Sequence, residues 1–197
     1  MHRRWLYIVT TLMVGSLFLN GYLYLENRSY ERYLADHIAN KVSPLSSSIL
    51  KSKIILEDVL EKKSISYEQA EEINYCLRHI AVESQDLLYL GGTLNSFSPQ
   101  LSNKVSLEAV RDKVFFEGIV RDHAVGDIIL LDYTQLEDLH RLHNRINRYA
   151  LTVGKHVIGA TPEGMDEQYW NRYLKSGTIH PYWKNLMVDL EWEAYQR

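Results

Sequence analysis

Residues 5–59 read WLYIVTTLMVGSLFLNGYLYLENRSYERYLADHIANKVSPLSSSILKSKIILEDV, and the two halves of this stretch decide the fold. Residues 5–25 carry no charge. At ~1.5 Å of rise per residue, a helix of that length crosses the ~30 Å hydrocarbon core of a bilayer. Trp5 and Tyr7 stand at one end and Tyr22 and Tyr24 at the other, where amphipathic rings suit the two headgroup zones. Arg3 and Arg4 precede the run, whereas residues 26–32 mix two acids with two arginines. An excess of Lys and Arg marks the cytoplasmic side. The expected layout is a cytoplasmic stub (1–4), an uncleaved transmembrane signal anchor (5–25) and an extracytoplasmic domain (26–197). A cleaved signal peptide has a shorter apolar core of ~7–15 residues and a small-x-small cleavage site; this run is longer and ends LNGYLYL. Within it Thr11 and Gly15 share a face, as in small-xxx-small helix pairing. Asn20 either bonds a neighbouring helix or meets water near the interface.

The second half is periodic. Ala35, Ile38, Val42, Leu45, Ile49, Ser52, Leu56 and Val59 alternate spacings of three and four, an a/d seam of the coiled-coil kind. Ser43-Pro44 is a good N-cap and first-turn pair, so either a second helix starts there or one long helix kinks at Pro44.

Helical patterning continues outward from the seam. Ser66 with Gln69 makes a capping box, followed by Ala70, Ile73, Leu77, Ile80, Ser84 and Leu87, with Gly91-Gly92 as the stop. Residues 93–104, with Pro99, read as a loop. Ser106 starts a third helix in which Leu107, Val110 and Val114 share a face. Residues 128–131 fit a short strand or a buried helical turn, after a stop at Gly126. Thr134 with Glu137 suggests another capping box, and Leu136, Leu139, His143, Ile146, Ala150 and Val153 a buried stripe closed by Gly154. Thr161-Pro162 opens a short helix ended by Gly177, with Trp170 and Leu174 on its buried face. The segment after Pro181 is aromatic and helical. No stretch alternates with period two for long enough to build a sheet, and the apolar stripes need one another for burial. The fold class expected is all-α: one N-terminal membrane helix, then a bundle of about five or six helices.

Composition bounds the function. Of 22 Lys and Arg residues only Arg3 and Arg4 precede residue 26, which leaves 20 against 25 Asp and Glu, a net of −5 for the domain. Nucleic acid is a poor partner for an acidic surface. A single cysteine, Cys76, permits no internal disulfide; beside Ile73 and Leu77 it reads as a small buried hydrophobe. The lone cysteine and single anchor fit a bacterial envelope protein. Asn27-Arg28-Ser29 matches a glycosylation tripeptide that is common by chance.

Few residues point to chemistry. Glu137 and His140 stand at the i, i+3 spacing of di-iron bundles, but such a site needs two pairs and this chain has one. Neither Gly91-Gly92-Thr93 nor Gly154-Lys155 has the order of a phosphate loop. No cofactor and no metal is expected. His143 lies on the apolar stripe, where a buried neutral imidazole would sense pH or simply bond a neighbour. Arg141, Arg145 and Arg148 share a face, a solvated surface or a contact for an acidic partner. Trp183 and Trp192, among Tyr169, Trp170, Tyr173, Tyr182 and Tyr195, serve as core or as interface anchors. The expectation is a non-enzymatic interaction or accessory protein of the cell envelope. It would contact another envelope protein, or a second copy of itself, through the Leu45–Ile49–Leu56 seam, the arginine face or the C-terminal tryptophans. The alternatives are a ligand-sensing bundle signalling through a partner and, least favoured, an envelope-acting enzyme.

Overall fold

The computed structural model describes residues 2–94, 96–97, 101–175 and 179–196; the expected breaks at Pro99 and Gly177 lie outside them. Its first element, α1 (His2–Lys62), is one helix of 61 residues that runs through Pro44 without ending. Of the two readings of Ser43-Pro44, the long helix is the one adopted. Proline removes the N–H that would bond the carbonyl of Asn40, and the surrounding packing carries the loss. Near its N-terminus α1 is long and apolar enough to cross a membrane, and that stretch is exposed throughout. Its later part is the central helix of the bundle: residues 41–53 include no exposed side chain.

The a/d seam therefore faces inward. Leu45, Ile49 and Leu56 are wholly buried, and Ala35, at 5% exposure, is the most accessible member of the row. A partner outside the chain cannot reach these three residues. A helix surrounded by other helices of its own chain shows the same 3–4 spacing as a helix awaiting a partner.

The other long helices of the bundle are α2 (Tyr67–Thr93), α3 (Lys104–Asp122), α4 (Tyr133–His156) and α6 (Tyr182–Tyr195). A one-turn helix, α5 (Glu167–Tyr169), runs into a π-helical turn over Trp170–Leu174. Helix α2 packs on both α1 and α3, and α4 packs on α1 and α6. Among the described residues there are also two small antiparallel sheets, β1 (Ser64–Ser66) with β2 (Ile128–Leu130) and β3 (Ala160–Thr161) with β4 (Gly164–Met165). Strands this short carry no readable alternation. Lys63, at φ 54°, turns the chain sharply from α1 into β1.

Local signals were partly displaced. The Ser66–Gln69 capping box holds α2 as expected. For α4 the box is Asp132 with Gln135, two residues before the expected Thr134; aspartate caps as well as threonine, and Gln135 bonds back to the Asp132 amide at 2.9 Å. Helix α4 also passes Gly154 and stops at His156. Thr161 lies in the β3 hairpin rather than a helix, and α5 begins at an Asp166 cap. There the buried rings are Tyr169 and Tyr173, one position before Trp170 and Leu174. The Tyr169 hydroxyl donates to the Ala39 carbonyl of α1 at 2.7 Å and lies 3.0 Å from the Tyr182 hydroxyl. This contact holds the end of α5 against α1 at Ala39.

Candidate interaction surfaces

Helix α3 has two apolar faces, and among the described residues one of them is packed and the other exposed. Val105, Ala109, Phe116 and Ile119 are buried against the bundle. Leu107, Val110 and Val114 share the opposite face and are 64%, 48% and 61% exposed. The spacing of three and four is that of a helix-packing seam, yet nothing among the described residues covers it. Gly118 continues the row with open space beside its backbone. Exposed apolar residues are ordinary when single; a row along one helix face is less so.

Beside this row, α3 and α4 enclose a cleft of about 430 Å³ lined in part by Arg111, Asp112, Asp138, Arg141 and Arg145. The three arginines of the expected face do not form an open basic surface. Arg145 is nearly enclosed and pairs with Asp112, and with Glu108 at 3.2 Å. Arg141 is exposed and pairs with Asp138, and with Glu137 at 3.4 Å. Arg148 pairs with Glu193 at 3.2 Å and donates to the Gln196 carbonyl at 2.9 Å. Burial raises the carboxyl pKa of Asp112 above the usual carboxylate value, and Arg145 offsets only part of that shift.

The N-terminus of α3 is capped from another helix. Asn103 offers no capping bond. Instead the Glu191 carboxylate of α6 accepts from the Lys104 and Val105 amides at 2.9 and 3.1 Å. It thereby satisfies two of the free N–H groups at a helix start. Burial holds the Glu191 pKa above its ordinary value against the pull of those two amides. The sign follows from linkage: a raised folded-state pKa contributes stability that is fully present below the unfolded value and is lost as pH rises through the folded value. The stability advantage of the native chain over Glu191→Gln is therefore expected to shrink as pH rises from 4 to 8. Melting both proteins across that range checks it; an advantage that grows with pH would show that the charged cap is the favoured form.

The remaining candidates separate. Trp183 is fully buried, edge-on to Phe97 at 5.3 Å between centroids, so it is a core residue and not an anchor for a partner. Trp192 is 65% exposed, in a shallow surface depression with Leu101, Val188 and Tyr195. His143 is half-buried rather than a core histidine; the stripe of α4 runs instead through Leu139, Leu142, Ile146, Tyr149 and Val153. Its Nε2 lies 3.8 Å from the Glu57 carboxylate of α1. Glu137 and His140 both face solvent. Burial pushes the Cys76 thiol up to about 11, which suits an inert core group.

A further apolar group runs from the loop after α3 through β2 to the first residue of α4. Val125, Ile128, Leu130 and Tyr133 are 72–82% exposed. Of the expected strand or buried turn at 128–131, the chain forms the strand, and its outward side chains are apolar. Neither this group nor the α3 row was singled out as a surface by sequence reasoning. No family model matches this chain, and neither a curated protein nor a solved structure matches it.

Proposed function

We propose that this chain is a membrane-anchored, non-enzymatic interaction protein of a cell envelope, with its N-terminus in the cytoplasm and its bundle outside. The carrying observation is the outer face of α3. Leu107, Val110 and Val114 form a helix-packing seam on a helix whose other face is already filled. Such a row suits a partner helix laid along it. The Arg3-Arg4 flank supports the orientation.

The test is photo-crosslinking in cells, with p-benzoylphenylalanine in place of Val114 in the tagged full-length chain. A reproducible envelope protein should be captured. The adduct should be lost when Leu107 and Val110 become lysine, changes expected to alter stability by only about 0.5 kcal/mol at such exposed sites. An adduct unaffected by the lysines, or none at all, would remove the reading.

A second reading, a bundle that senses a ligand and signals through a partner, is favoured by one feature. The apolar stretch and the central core helix are a single element, so any movement of the core reaches it directly.

A further inference from the structure

The two-stranded sheet of β1 and β2 has an open side. The pairs are Ser64 with Leu130, Ile65 with Ile129 and Ser66 with Ile128. On either side the Tyr67 amide donates to the Asp127 carbonyl at 3.0 Å, and the Leu131 amide to the Lys63 carbonyl at 3.2 Å. In an antiparallel ladder alternate residues turn their N–H and C=O groups to the same neighbour. Asp127, Ile129 and Leu131 therefore face β1. The backbone groups of Ile128 and Leu130 face the other way, where the sheet has no third strand among the described residues.

Natural proteins blunt such edges with lysine, proline or a bulge. Ile128-Ile129-Leu130 has none of these. Ile129 is half-buried toward the bundle, and Ile128 and Leu130, at 72% and 82% exposure, stand on the outer face. The exposed residues are also arranged symmetrically. Ile128 and Leu130 lie one residue either side of Ile129, and Val125 and Tyr133 lie four residues either side of it.

We propose that β2 pairs antiparallel with β2 of a second copy of this chain, about a two-fold axis at Ile129, to give a continuous four-stranded sheet. About that axis the Ile128 backbone exchanges both hydrogen bonds with Leu130 of the other copy, and the reverse. Each apolar side chain meets an apolar one across the strands. Val125 of one copy falls on the side of Tyr133 of the other, and Asp127 is set opposite Leu131, so no like charges are apposed. A general strand-binding partner would require no such symmetry. The contact is small, on the order of 1,000 Å² in total, at the low end of specific interfaces. Confinement of both copies to one membrane, as the proposed anchor implies, raises their effective concentration. The inference stands apart from the α3 reading, which crosslinking at Val114 reports separately.

The experiment uses the full-length chain in its native membrane, with p-benzoylphenylalanine replacing Tyr133. The expected product is a covalent dimer whose crosslink maps near Val125 of the second copy. The double change Ile128→Lys, Leu130→Lys should lower its yield at least tenfold while leaving the thermal melt unchanged, since both side chains are exposed. Three results would overturn the proposal: capture of a different protein alone, a dimer unaffected by the lysines, or no crosslink.

Discussion

An Ile49→Asp chain is expected to lose its bundle altogether. Ile49 is wholly buried on the central helix, in a row with Leu45 and Leu56. Truncating such a side chain to alanine costs about 2–5 kcal/mol through lost burial and the cavity left behind. Aspartate adds an unpaired carboxylate in an apolar site, a further penalty of several kcal/mol. Domains of this size are stable by only about 5–15 kcal/mol, so the sum approaches or exceeds what is available. Limited proteolysis of the full-length protein in detergent should show a resistant native bundle and rapid cleavage of the variant after residue 34. A variant that stays resistant, with an unchanged melt, would mean that the seam is open to a partner after all.

Arg145→Met should be the most damaging change on the charged side of the molecule. The arginine and its two carboxylate partners, Glu108 and Asp112, are each only 14–16% exposed at the side chain. Removing the arginine leaves the two enclosed carboxylates with only the exposed Arg111 beside them, and breaking an enclosed ion pair costs about 3–5 kcal/mol. For a chain of this length that lowers the melting temperature by roughly 10 °C. Arg141→Met is the control. That side chain is 66% exposed, and exposed pairs contribute at most about 1 kcal/mol. Adding Glu108→Gln and Asp112→Asn to Arg145→Met should restore much of the loss, because neutral amides no longer repel one another. Equal effects at positions 141 and 145 would show that the cluster is solvated.

Much of this architecture is legible from residue spacing, and the failures have physical causes. The rows from Ala35 to Val59 and from Ala70 to Leu87 were found because each helix buries one stripe and the stripe repeats. What spacing cannot say is which neighbour buries it. The α1 seam suggested a surface and is core. The Leu107–Val110–Val114 row has the same spacing and is surface, because Val105, Ala109, Phe116 and Ile119 take the inner face of the same helix. Glycine misled at position 154, where α4 simply continues. Pairing between distant segments left no local trace. β1 and β2 are three residues each and lie more than sixty positions apart; Glu191 caps a helix that begins almost ninety residues earlier. For Arg145 the spacing offers a solvated face or an acidic partner outside the chain, and its partners, Glu108 and Asp112, belong to the chain itself.

Because α1 carries both the apolar stretch and the centre of the bundle without interruption, the two are locked in angular phase. An α-helix turns about 100° and rises ~1.5 Å for each residue. One residue added within the exposed stretch 26–33 would swing every face of the bundle by that angle about the helix axis, and seven would bring it almost back to its starting bearing. The compass direction in which the α3 row and the β2 edge point relative to the faces of the apolar stretch is thus written into the length of an eight-residue stalk.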